Sequence, residues 1–165
     1  MTNKFQGQVN ILPAIGVPGQ HMSTNPLVST QKGYCAADTV TIGGFVWATT
    51  VENNDAFVKS KSENQDAPLG FAVREITNPL DYNKSASNTV PKGFPVSVAV
   101  KGDFAVVTQT KATVGQSVFA VLADGTIKTN TADVDVEDAV KTDYKVVNIN
   151  GDGAAGDIIV ISNWA

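Results

Sequence analysis

The chain has 165 residues, a mass of 17.3 kDa, a net charge of -4 and a pI near 4.8. Its 12 basic residues are scattered, which excludes the clustered Lys and Arg that gripping nucleic acid or an anionic membrane requires. Valine and threonine number 39 against 5 leucines, and a lone cysteine, Cys35, excludes an intrachain disulfide, so the composition points to a mainly-β protein with one self-sufficient core.

The N-terminal stretch comes first. Between Thr2 and Gln31 the only charged side chain is Lys4, and Pro13, Pro18 and Pro26 interleave with Gly7, Gly16 and Gly19. Breakers at that spacing exclude a helix. The same stretch carries Phe5, Val9, Ile11, Leu12, Ile15, Val17, Met22 and Leu27, too apolar for a solvated tail. Residues 1–33 are therefore expected to form an extended arm packed on its own domain, a sister subunit or a larger partner, followed by a single β domain over 34–165. The start MTNKFQGQVN lacks the basic and apolar regions of a secretion signal, and the aliphatic run 158–161 is too short to cross a bilayer, so the expected product is soluble and made in a cytosol.

After Tyr34 the pattern predicts strands over 39–50, 70–76, 94–101, 104–110, 117–123, 126–129, 144–149 and 157–163. Five of them carry a phenylalanine near their start, four just behind a glycine: GGFVWA, GFAVR, GFPVSVAV, GDFAVV and SVFAVLA. Glycine supplies turn geometry, and an aromatic followed two positions on by an apolar residue places both on one face of a strand. Phe45, Phe71, Phe104 and Phe119 are the expected core row. Lys101-Gly102 and Asp124-Gly125 are expected as tight hairpin turns, and Pro95 marks an edge or the first residues of a strand. Residues 52–68 and 78–90 read as long polar loops. The acidic segment 131–143 fits either a strand at Val134 and Val136 or a helical turn at 137–141. The predicted fold is an antiparallel β-barrel or jelly-roll-like sandwich.

Catalytic chemistry is poorly supplied. The one histidine, His21, sits in the arm, far in sequence from the acid-rich stretch, and Cys35 reads as a small buried hydrophobe. Residues 148–153 (NINGDG) place Asn, Asn, Asp and Gly at calcium-loop positions, but Ile159 stands where the closing carboxylate belongs, and strands rather than helices flank the segment. It is expected to be the turn joining the last two strands. Asp133, Asp135, Glu137 and Asp138 read as a solvated acidic edge. No catalytic, metal or cofactor site is expected.

Five blocks taken in order, QGQVNILPAIGVPGQHMSTNP, VTIGGFVWA, PLGFAVRE, VPKGFPVSVAVKGDFAV and VGQSVFAVLADGTI, together resemble the structural cement proteins of tailed bacteriophage capsids. The resemblance ends at Ile127. It implies a non-enzymatic decoration protein on the outer surface of the virion that binds the major capsid protein and ties neighbouring coat subunits together. It also implies a homo-oligomer, a trimer in preference to a dimer, with no nucleic-acid or membrane partner. The anchors expected in the arm are Phe5, Ile11, Leu12, Ile15 and Val17. The rival reading is a carbohydrate- or receptor-binding β-sandwich in which Tyr34, Trp47 or Trp164 stacks on a ligand.

Overall fold

The computed structural model describes residues 15–64, 66–75, 88–132 and 134–164, and every regular element among them is a strand. In chain order these are β1 (Val28–Ser29), β2 (Tyr34–Ala36), β3 (Val40–Thr41), β4 (Phe45–Val51), β5 (Asn54–Lys59), β6 (Gly70–Ala72) and β7 (Thr89–Val90). There follow β8 (Pro95–Val96), β9 (Val98–Lys101), β10 (Asp103–Val107), β11 (Ser117–Val121), β12 (Ile127–Asn130), β13 (Ala139–Ile149) and β14 (Ile158–Ser162).

They form a seven-stranded sheet in the order β1-β9-β6-β4-β5-β2-β8, a five-stranded sheet in the order β10-β14-β13-β11-β12, and a β3-β7 ribbon. All pairings are antiparallel except β2 with β5. The expected barrel is not found. The edges of the five-stranded sheet approach through a bridge between Thr108 and Ile127, the Gln109 N–H donating to Ile127 at 2.8 Å and hydroxyl-mediated bonds between Thr110 and Thr129 rather than through a continuous ladder, and the seven-stranded sheet stays open, so the architecture is sandwich-like.

Alternation along the strands explains the packing. In β4, Phe45 and Trp47 face the five-stranded sheet while Val46 faces the other way. The first face meets Phe104, Val106, Val118, Tyr144, Val146, Ile159 and Ile161 of the five-stranded sheet. On the second face Val46, Val58, Ala72 and Val98 pack with Val40 and Val90 of the β3-β7 ribbon and with Ile42. A sheet covered on both sides must be apolar on both sides, and this accounts for near-continuous runs such as GFAV.

Between the two sheets four rings close a circuit. Phe45 meets Phe71 edge-on at 5.6 Å, Phe71 stacks on Phe104 at 4.4 Å, Phe104 lies 6.2 Å from Tyr144, and Tyr144 returns to Phe45 at 5.6 Å. Phe119, expected in the same row, is buried elsewhere. It projects from β11 opposite to Val118 and Ala120, flanked in register by Lys128 and Lys141.

Two local expectations are corrected, and one segment left open by its sequence is decided. Lys101-Gly102 is not a hairpin: β9 pairs with β1 and β6 and β10 pairs with β14, so this step carries the chain from one sheet to the other. Glycine is needed there for packing, because a Cβ on Gly102 would lie 2.6 Å from the Phe104 ring. Residues 52–68 are not all loop, since Asn54–Lys59 returns along β4 through a two-residue turn at Glu52 and Asn53, both with positive φ. In the acidic segment the chain enters β13 at Ala139, so residues 139–141 are strand rather than helical turn.

Other expectations agree. Asp124 and Gly125 lie in the turn between β11 and β12, with Gly125 at φ 71 and its carbonyl accepting the Phe45 N–H at 2.8 Å. Pro95 opens β8 at the edge of the seven-stranded sheet. Residues 148–153 lie where β13 turns into β14.

Because Phe104 is fully buried and touches a ring from each sheet, Phe104→Ala is expected to cost about 3–5 kcal/mol of unfolding free energy. Urea denaturation checks this, and a loss below about 1 kcal/mol would show that the rings do not carry the inter-sheet contact.

Candidate interaction surfaces

The arm is described from Ile15 onward, and there it lies on its own domain. The N–H groups of Gly19 and Met22 donate to the carbonyls of Ala105 and Asp103 at 2.8 Å, and the Ala105 N–H donates to Gln20 at 3.0 Å. The arm thus adds a short stretch of pairing to the free edge of β10, with His21 bridged to Phe104. Gly19 permits this approach: at φ 84, a Cβ there would lie 2.5 Å from the Ile42 side chain. Further on, Val28–Ser29 pairs with β9. Of the five expected anchors, Val17 is exposed and Ile15 half-buried, while Phe5, Ile11 and Leu12 lie outside the described residues.

Where β1 meets the end of β9, Leu27, Val28, Val100 and Trp164 are all exposed. Three of them are neighbours: Val28 faces Lys101 in register, Lys101 Nζ lies 4.9 Å from the centre of the Trp164 ring, and Leu27 packs beside Gly102, while Val100, next to Lys101 in β9, alternates to the other face. Asn163 holds this corner by donating to the Val100 carbonyl at 2.9 Å and accepting the Gly102 N–H at 3.0 Å. Grouped apolar side chains of this kind mark a contact surface more often than singly scattered ones do. At the opposite edge of the same sheet Phe94 is exposed beside Pro95.

Next to the first patch lies a buried charge. Asp103 opens β10 and is 4% exposed. Its Oδ2 accepts hydrogen bonds from Ser23 Oγ and, at 2.7 Å, from Asn25 Nδ2, both supplied by the arm. Its Oδ1 has no hydrogen-bond partner. Burial acts to raise the pKa of this carboxyl, but the polar side chains of Ser162, Ser23 and Asn25 and the charge of His21 outweigh it and hold the group below its ordinary value. The carboxylate therefore stays ionised and ties the arm to β10. Tyr144 is pushed the other way, chiefly by burial and secondarily by the charges of Asp103 and Asp143, so it remains a neutral phenol whose hydroxyl donates to Val100 at 3.4 Å.

The other candidates separate. His21 lies against β10 and Cys35 in β2 of the opposite sheet, so the two do not form a dyad. Trp47 is buried with its Nε1–H donating to Asp66 at 2.8 Å, and Tyr34 is half-buried, which leaves Trp164 as the exposed ring of the three. Asp157 turns its carboxylate to the Ala154 N–H at 2.8 Å within the β13-β14 connection. Asp135, Glu137 and Asp138 are exposed, and Asp133 lies outside the described residues. Sequence reasoning missed Asp103 and offered Trp164 only as a ring stacking on a ligand in the rival reading. The one available signal was the polar set Ser23, Asn25 and Asp103 in two segments otherwise poor in charge.

A family model described as XM1 gp53 minor capsid protein matches residues 5–163. Among solved structures, a chain in the capsid of Myoviridae phage XM1 superposes with a TM-score of 0.62 at 15% sequence identity, covering 99% of this chain and 96% of that one. At that identity the likeness is one of fold. Among curated proteins nothing matches.

The depressed pKa of Asp103 has a defined pH signature. Its ionised form adds stability above the unfolded carboxylate value of 3.8, and that contribution is lost as pH falls through the lower folded-state value. Asp103→Asn is therefore expected to be less stable than the parent near pH 6, with the gap closing as pH falls below 3.8. Unfolding free energies measured across that range check this, and a pH-independent gap would contradict it.

Proposed function

The chain belongs to the XM1 gp53 minor capsid protein family, and from that premise we propose that it is a cement protein, seated on the outer surface of a tailed-phage head and joining neighbouring coat subunits. Its role is structural and lies in the virion. The observation that carries the finer reading is where the family match begins: at residue 5, so that Phe5, Ile11 and Leu12 fall inside the segment shared by the family. Residues 19–30 are engaged with the chain's own β10 and β9, so the reading assigns the partner contact to the apolar residues that precede them in the chain. The major capsid protein is that partner, and Phe5, Ile11, Leu12, Ile15 and Val17 are the proposed contacts. A homotrimer about local threefold positions suits a closed symmetric shell.

The energetic logic is mass action. A protein that binds assembled shell and not dissociated subunits shifts the balance toward assembly, and many copies multiply a modest contact. No catalytic step is part of this role.

Deleting residues 2–14, and leaving 15–30 in place because β10 and β9 need them, is expected to leave the thermal transition of the domain nearly unchanged. Co-sedimentation of the same variant with undecorated expanded heads should fall at least about tenfold, the equivalent of about 1.4 kcal/mol per site. Undiminished co-sedimentation would overturn the arm as the anchor.

A further inference from the structure

A cleft of about 280 Å³ opens against Asp103, lined by Met22, Ser23, Asn25, Val147, Val160, Ser162 and Trp164. Three observations bear on what it receives. The cleft falls just below the roughly 300–1,000 Å³ typical of sites for whole small molecules, a size suited to one side chain. Met22, Val147, Val160 and Trp164 give it apolar walls, and Ser23, Asn25 and Ser162 add polar groups beside the carboxylate. At its base sits a carboxylate that is 4% exposed, held ionised, and has Oδ1 without a partner.

A buried anion with an unused oxygen is costly unless a cation meets it. No lysine or arginine of the described residues does so. The ion pairs present are Lys32 with Asp55 and Lys59 with Glu63. Lys101 is placed over the Trp164 ring. Lys145 follows Asp103 and Ser162 along one row across β10, β14 and β13, two strands or about 10 Å away, and is exposed. His21 adds its charge nearby, yet its Nε2 makes no hydrogen bond either.

We propose that this cleft receives an arginine side chain from a neighbouring protein of the shell, its guanidinium paired with Asp103 Oδ1 and its stem laid along Val147, Val160 and the Trp164 ring. Arginine fits better than lysine: it is the more weakly hydrated cation, stacks on aromatic faces and offers several donors to a carboxylate and an adjacent hydroxyl. The inference rests on the cement reading for the source of the arginine, but not for the chemistry of the cleft. Trp164 belongs both to the cleft and to the exposed patch with Leu27 and Val28, so one docked surface would cover both.

The test is a two-dimensional NMR titration of the full chain with N-acetyl-arginine amide, following the Trp164 indole N–H and the Asn25 side-chain amide. Saturable shifts of both are expected, weaker with the lysine analogue and absent with the uncharged citrulline analogue. Asp103→Asn should weaken binding at least about tenfold. Val147→Trp, which fills the cleft and leaves the carboxylate in place, should abolish the shifts if Asp103→Asn proves too unstable to read. Equal shifts from citrulline, or none from arginine, would overturn the proposal. Shifts seen only in Lys4→Gln would overturn it too, by assigning the cleft to the chain's own arm. Co-sedimentation with heads keeps the two claims apart. If the parent decorates heads and Val147→Trp does so equally well, the arginine contact is wrong and the cement role stands. If the parent fails to decorate heads, the cement role falls and the titration still decides the cleft.

Discussion

The stack of Phe71 on Phe104, at 4.4 Å and 19° between planes, is the contact on which the rest of the structure depends. One ring comes from the seven-stranded sheet and the other from the five-stranded sheet, and Phe45 and Tyr144 complete the circuit with one more ring from each. Each pair adds about 0.5–1.5 kcal/mol beyond simple area burial, and their geometry fixes how the sheets face each other. Phe104 also fixes the arm, since His21 bridges to it and lies 6.0 Å from its ring. The residue before it is Asp103, whose side chain alternates to the outer face and holds Ser23 and Asn25 there. Core, arm and charged cleft are thus three consequences of one strand, β10.

That coupling explains why parts of the molecule were legible in sequence and parts were not. The glycine-phenylalanine units announced strands correctly, and Phe45, Phe71 and Phe104 are core because alternation is a local property that survives any topology. Which strands pair is not local. Lys101-Gly102 has the composition of a hairpin turn but carries the chain between sheets, and its glycine answers to the Phe104 ring rather than to a turn. The strand Asn54–Lys59 was hidden by polar residues, because its first residues are exposed and its turn uses Glu52 and Asn53 in place of glycine. Phe119 shows the limit of the motif itself, being buried on the other face of its strand.

The candidate interface was less legible than the fold. An apolar, nearly uncharged arm can be read from composition, but its division cannot. Residues 19–30 are committed to β10 and β9 by backbone hydrogen bonds that, apart from the glycine needed at 19, carry no side-chain signature, so composition alone does not mark them out within the arm. The importance of Asp103 likewise arises from burial and from partners 78 and 80 residues away in the chain, a juxtaposition that has no sequence signature. An interface of this kind has no short motif, since it is defined by what the fold leaves uncovered.

The most direct measurement of the central claim is electron-microscopic imaging of undecorated, expanded heads after adding the purified protein. The account predicts discrete density on the outer surface that fits the two-sheet sandwich, with residues 1–14 continuing from Ile15 across a seam between coat subunits. Heads without added density, or density on the inner surface, would contradict it.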